Sequence, residues 1–468
     1  MASGRAPEAS NKVMAVLLQR VNHWLGIDRA IFFNLCGRFW SLLAGPVSIL
    51  LIGTYLTKVE QGFFYTFSTI LGLQVILELG FNQCLVQFTS HEYARLQFRE
   101  GRLEGDSTAL GRLLGLGRLA LLWYAVLGLL LMLVIGPAGQ AFLGSRAVSG
   151  TNWVVPWWLL CGAAGLNLAI QPVWFILEGC NQVAAVNAYR TLNQVALGVA
   201  AWAALLAQAR LYAAPVAAAA GLLVGVGLLA ATRRPLIAQL WRHSMAGAGG
   251  LLRELWPFQW RMAISFASGY LIFSLFTPVL FYVQGPEVAG QMGMTWQIVG
   301  ALSMMASAWV TTKAPRYGML ISQGQFAELD ALFRRVTTQA VVLCALGGVC
   351  LLAAVAVLKN HFALGSRFLD LIPTVFLVIA TVVNQAVFGQ ACYLRAHKRE
   401  PFLGVSVANA LATSAGVIGG TLVFGAFGAC LAYAVTQTLM LPLATAIFRA
   451  KRRAWHPDAA VTVPAGAG

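Results

Sequence analysis

The sequence predicts an all-α integral membrane protein, with about twelve transmembrane helices in two six-helix lobes. Three observations carry that expectation. Of the 468 residues, 59% are hydrophobic and only 10% charged, whereas an ordinary soluble domain carries about a quarter charged residues. The apolar residues come in long, clean runs, which suit helices; barrel strands would be short and alternating. Finally, arginine and lysine collect between those runs on alternate sides, as loops held on one membrane face do.

The elements follow in order. In Asn11–Ile27, Val13, Val16, Leu17, Val21 and Trp24 share a helical face opposite Lys12 and Arg20. Residues 1–28 therefore read as a cytoplasmic amphipathic segment lying on the membrane, with no cleavable signal. Apolar runs centred in 30–56, 62–87, 113–135, 153–177, 186–207 and 212–231 each approach the length of a span and make a first lobe, residues 29–231. Residues 232–258 hold an amphipathic "PLIAQLWRH" and a "GAGG" at Gly247–Gly250 and read as a cytoplasmic linker. Runs in 260–283, 289–312, 337–358, 369–394, 402–423 and 427–448 make a second lobe, residues 259–448, and 449–468 a cytoplasmic tail.

Charge fixes the sides. Arg95, Arg99, Arg102, Arg112, Arg118, Arg190, Arg233, Arg234, Arg242, Arg253, Lys313, Arg316, Arg334, Arg335, Arg395, Lys398, Arg399 and the basic tail fall on the side of the N-terminus. The other side holds Lys58, Arg146, Arg210, Lys359 and Arg367. Both termini are thus expected in the cytoplasm, in a multi-pass protein of a cell membrane. The same bias accounts for the net charge of +16 without nucleic acid as a partner.

Several function classes drop out. There is no phosphate-binding Gly-x-x-x-x-Gly-Lys loop for a nucleotide-driven pump. "HEYAR" at His91 lacks the second histidine of a zinc helix, and the eight cysteines show no metal spacing. No cofactor is expected. The short far-side loops hold only scattered Glu60, Glu287, His361 and Asp370, too little for a polymerase, ligase or other membrane enzyme. The three tryptophans Trp153, Trp157 and Trp158 are expected in an interfacial belt. The small-residue spacing Gly416 and Gly420 is expected to serve helix packing.

The halves echo each other. "KVEQGFFYTFSTILGL" at Lys58 and "PEVAGQMGMTWQIVGAL" at Pro286 each put an acidic residue shortly before a glycine at the far end of a span. Parallel six-span repeats are a transporter architecture.

The stretches "LTKVEQGFFYTFSTILGLQVILELGFNQCLVQF", "WFILEGCNQVAAVNAYR", "EVAGQM", "KAPRYGMLISQGQFAELDALFRR" and "YLRAHKREPF" resemble the O-antigen and polysaccharide-lipid flippases of the multidrug/oligosaccharidyl-lipid/polysaccharide (MOP) flippase superfamily. The resemblance implies two lobes in the V shape of the multidrug exporters (MATE-like) and alternating access. It implies a bacterial inner-membrane location and flipping of an undecaprenyl-pyrophosphate-linked oligosaccharide for O-antigen, capsule or exopolysaccharide synthesis, with other polysaccharide-assembly proteins and membrane lipids as partners. A small-molecule exporter of the same superfamily is the alternative.

Ionisable groups inside a bilayer are expensive and are functional candidates by default. Arg38 stands nine residues past Arg29, roughly 13 Å along a helix and too deep to snorkel. It is expected to line the cavity and meet an anionic head group, or else to pair with Glu78. Arg261 would give the second lobe a matching cation, and Lys313 ends the eighth span. Asn34, Gln171 and Gln297 are candidate sugar-binding amides, among others including Gln74, Asn167, Asn384, Gln385 and Asn409. Glu78, about 24 Å past Gly62 by helical rise, is the candidate for coupling to a proton or sodium gradient, facing the space between the lobes. Glu178 is expected to pair with Arg190.

Overall fold

The computed structural model describes residues 29–456, apart from 100, 244–247, 398 and 400. The amphipathic segment 1–28 and the end of the tail lie outside the described residues.

The first lobe begins with α1 (Arg29–Tyr55). The second apolar run, expected as one span, is three helices: α2 (Lys58–Leu71), α3 (Gln74–Leu77) and α4 (Phe81–Tyr93). A capping box starts it, with Thr57 Oγ1 accepting the Glu60 N–H at 3.1 Å and Glu60 Oε2 accepting the Thr57 N–H at 2.9 Å. It breaks where Leu79 and Gly80 adopt left-handed φ of 52° and 68°, and the two parts bend by 47°. An antiparallel ribbon follows, β1 (Leu96–Arg99) and β2 (Arg102–Gly105). These are the only strands among the described residues, and the sequence carries no signal for them beyond Gly101 in the turn.

Asp106 then caps α5 (Ser107–Leu130), which continues through a π turn, Leu131–Ile135, into α6 (Gly136–Gly144). Helices α7 (Val154–Gly179), α8 (Val183–Leu206) and α9 (Ala213–Thr232) complete the lobe. The amphipathic α10 (Arg234–Arg242) turns Leu236 and Leu240 inward against α5.

The second lobe holds α11 (Ala248–Phe273), α12 (Phe276–Gln284), α13 (Pro286–Thr311), α14 (Ala314–Ser322), α15 (Phe326–His361), α16 (Leu371–Ala396) and α17 (Leu403–Trp455). The last is two helices joined at Gly425. They return against each other so closely that a Cβ on Gly428 would stand 2.0 Å from the Gly420 carbonyl; the Gly416/Gly420 spacing does serve packing. Among the described residues seven helices are long and apolar enough to cross a membrane, or nine if each bent pair is one span. Of the other described segments, α8, α13 and the second part of α17 are also long enough to cross a membrane.

Within the first lobe α1 packs on α8, α8 on α9, α9 on α7, and α7 on α5 and α4. In the second, α16 packs on α15 and α17, α11 on α17, and α13 on α15 and α16. Buried leucines and aromatics form the core between them. Trp157 belongs to that core and not to an interfacial belt. It is 0% exposed, donates to the Gly136 carbonyl at 2.8 Å, and only Trp158, at 37%, faces outward.

Candidate translocation cavity

The two stretches that echo each other in the sequence meet in the structure. At the far end, α2 and α13 cross with Gly62 against Pro286 and Gly290. A Cβ on Gly62 would come within 1.9 Å of the Pro286 carbonyl, and one on Gly290 within 2.8 Å of the Gly62 nitrogen. Hydrogen bonds lock this crossing. Gln61 Nε2 donates to the carbonyls of Gly290 at 2.8 Å and Arg367 at 3.2 Å. One turn further in, Tyr65 donates to Gln297 Oε1 at 2.8 Å. Arg146 of the first lobe donates to the Tyr282 carbonyl of the second at 2.7 Å. The far face is sealed.

Toward the basic face the same helix faces part. On α1, Ile49 and Ile52 are buried in a cluster with Met294 and Phe368 of the second lobe. Arg38 and Ser41 lie eleven residues earlier, three turns along the same face, and are exposed. Asn34 is exposed on that face too, and its Oδ1 accepts the Arg38 Nε–H at 3.0 Å. The opposing stripe of α13 runs from Gln297 through Ala301 to Met304 and Met305, which are 61% and 50% exposed. Toward the basic side the facing stretches of α1 and α13 are therefore exposed and part from each other, with Arg38 on the α1 side.

The second lobe adds a cavity of its own, about 640 Å³, between α11, α13, α16 and α17. Its wall carries Ser265, Ser303, Ser307, Thr381, Asn384, Gln385, Asn409 and Tyr433, with Arg395 as its one ionisable cation and no carboxylate. Gln385 donates to Ser303 Oγ at 2.9 Å and accepts from Ser307 at 3.2 Å. Asn384 donates to Tyr433 Oη at 2.9 Å, and Asn409 exchanges bonds with Gln437 at 3.0 and 3.1 Å.

The sequence candidates thus fall in different places. Arg38 and Asn34 share one exposed face of α1. Exposed Arg261 lies over the Trp260 ring at 5.6 Å, one turn before Ser265 of the second-lobe cavity. Lys313 is exposed at the end of α13. Gln297 belongs to the seal. Gln171 is half-buried on α7, and Asn167 bonds the Ala163 and Ala218 carbonyls, a link between helices. Arg38, Arg261 and Lys313 make no ion pair among the described residues.

Glu78 does not pair with Arg38, nor does it open to the space between the lobes. It is 7% exposed and accepts a hydrogen bond from Tyr124 of α5 at 3.1 Å. It sits at the break in the second span, where Gly80 presses on Met262 and Phe266 of α11 and Tyr270 of α11 donates to the Thr69 carbonyl at 2.9 Å. Glu178 does pair with Arg190, at 2.5 Å. The residue that sequence reasoning missed is Tyr124, which lies in an otherwise apolar run and becomes visible only once α5 is packed.

No protein-family profile and no curated protein sequence matches the chain. Solved structures do. An inward-facing multidrug resistance MATE family transporter of the MOP superfamily aligns with a TM-score of 0.61 and 13% identity, over 88% of this chain and 99% of that one. The lipid II flippase MurJ, in an inward closed conformation, aligns with a TM-score of 0.63 and 11% identity, over 90% of this chain and 87% of that one. A MOP superfamily transporter from Pyrococcus furiosus, described as having a binding pocket of reverse polarity, aligns at 0.51 and 12% identity, over 91% and 95%. The chain has the fold of the MOP superfamily transporters. Its all-helical, multi-pass membrane architecture stands on that likeness and on the apolar helices.

Proposed function

We propose that this protein is a flippase that carries an undecaprenyl-pyrophosphate-linked oligosaccharide across the bacterial inner membrane by alternating access, driven by a proton or sodium gradient. The observation that carries the reading is the charge of the open space. Arg38 stands exposed there with no carboxylate partner among the described residues, and the second-lobe cavity is walled by neutral amides and hydroxyls together with Arg395. Guanidinium binds phosphate oxygens in pairs. Amides and hydroxyls match the donors and acceptors of sugars. A site for organic cations would call for carboxylates instead, and among the described residues the only one in the interior of a span is buried against Tyr124. Arg261 and Lys313 extend the positive lining, and Glu78 is the coupling group.

The test uses proteoliposomes loaded with an undecaprenyl-pyrophosphate oligosaccharide under an imposed pH or sodium gradient. A glycosidase added outside reads the fraction of glycan exposed. Gradient-dependent exposure by the wild type, lost in a well-inserted Arg38→Ala protein, is the expected result. No exposure under any gradient, over several glycans, would leave the small-molecule exporter as the better reading. Normal exposure by Arg38→Ala would remove the cationic wall from the mechanism.

A further inference from the structure

A second pocket lies on the basic face, away from the space between the lobes. The ribbon register sets Arg99 directly opposite Arg102, and like charges so placed repel. Gln239 of α10 clamps this ribbon: its Nε2 donates to the Leu103 carbonyl at 2.9 Å and its Oε1 accepts the Leu103 N–H at 3.0 Å. Arg118 of α5 donates to the His243 carbonyl and ties the end of α10 to a membrane helix. These bonds to neutral groups hold a pocket of about 300 Å³ lined by Arg102, Gln239, Arg242 and His243, with no carboxylate in its wall. Arg99, Arg102 and Arg242 make no ion pair among the described residues.

The charge bias of membrane loops spreads cations over one face. It does not require two arginines and a histidine to converge on a pocket clamped from three sides, with a repelling pair at its edge. An anion with several oxygens would relieve that repulsion, since each guanidinium can bind two of them. The surroundings say where it comes from. Trp241, next to Arg242, is 56% exposed, as aromatic side chains at a lipid interface are. The amphipathic α10 buries Leu236 and Leu240 beneath it. We propose that this pocket binds the phosphate of an anionic phospholipid head group. Such a lipid would brace the ribbon against α10, at the connection between the lobes.

The full chain, delipidated in detergent, is titrated with short-chain phosphatidylglycerol, and bound lipid is counted by native mass spectrometry. Phosphatidylcholine of equal chain length and inorganic phosphate serve as competitors. Arg102→Gln with Arg242→Gln is compared with Arg334→Gln with Arg335→Gln, an equal loss of charge at an exposed site elsewhere on the chain. Saturable binding that falls about tenfold or more in the first pair alone is expected. Equal losses in both pairs, or equal binding of phosphatidylcholine, would overturn the site. Displacement by inorganic phosphate at equal concentration would overturn the head group in favour of free phosphate. Should the glutamine pair fail to fold, Arg102→Lys with Arg242→Lys keeps the charge and loses the paired oxygen contacts; a partial loss of affinity is expected, and unchanged affinity would count against the pocket.

Discussion

The Tyr124 hydroxyl donates to the Glu78 carboxylate across 3.1 Å, with both side chains buried and no cation beside them among the described residues. A carboxylate so placed is expensive unless a proton or cation joins it. Because it ends α3 at the break that presses on α11, its charge bears directly on how the lobes touch. A glutamine in its place can still accept from Tyr124 but cannot change charge. Glu78→Gln should therefore insert and fold normally while gradient-driven transport drops to the level seen without a gradient. Full gradient dependence in that variant would take coupling away from Glu78. Tyr124→Phe removes the one side-chain hydrogen bond to the carboxylate among the described residues and should change the pH dependence of transport while sparing insertion.

The far-face seal gives a second prediction. Gly62 has no room for a Cβ, with the Pro286 carbonyl 1.9 Å from where it would stand. Backbone cannot yield as a flexible side chain can, and overpacking of this kind costs about 1–3 kcal/mol. Gly62→Ala should bias the lobes toward an open far face by roughly fivefold to 150-fold. A cysteine replacing Met294, which is buried in the seal, reports on it through an impermeant thiol reagent, with exposed Cys350 first changed to serine. Equal labelling rates with and without Gly62→Ala would mean that the crossing relaxes some other way.

The architecture was legible in the sequence because long apolar runs and loop charge act residue by residue. The likeness of "KVEQG" and "PEVAG" was legible too, and the structure brings their Gly62 and Gly290 into contact. The break at Leu79–Gly80 was not legible, because the left-handed φ values there come where tertiary packing brings Gly80 close against Met262 and Phe266. Asn384, Gln385 and Asn409 could be named as polar, but only the crossing of α13, α16 and α17 puts them on one cavity wall. Glu78 likewise could be singled out by cost, while its partner could not. A charge invites the nearest opposite charge as an explanation, and here packing supplied a phenol.

The wall of the second-lobe cavity makes a third prediction. Gln385 is 1% exposed and holds Ser303 and Ser307 together. Gln385→Leu leaves both hydroxyls without that partner, which costs about 1–3 kcal/mol. The variant should melt at a lower temperature than wild type. Asn409→Leu should do the same through Gln437 and Thr413. If the cavity holds sugar, transport of the glycan should fall further in each than the loss of folded protein explains. A loss that tracks folded protein alone would make the cavity structural.

The last prediction concerns pH at the basic ends of α16 and α17. His397 and His456 follow these helices, and their Nε2 atoms lie 3.0 Å apart, so one ring donates and the other accepts and they cannot both be protonated without breaking the bond. Burial is the main force holding each imidazole below its ordinary value; neighbouring Arg399 adds to this for His397, and His397 itself for His456, while Asp330 opposes both. The Nδ1 of His456 is also buried with no partner among the described residues, so a proton there would find no acceptor among them. An unfolded chain takes up protons on both rings below about pH 6.5, before the folded protein does. The stability from this pair is therefore complete above that pH and is lost as pH falls through the window down to the lowered folded values. Melting temperature in detergent should fall by several degrees between neutral pH and pH 5, and more steeply for wild type than for His397→Gln with His456→Gln. Parallel curves for the two proteins would show that the histidine pair carries no proton linkage to folding.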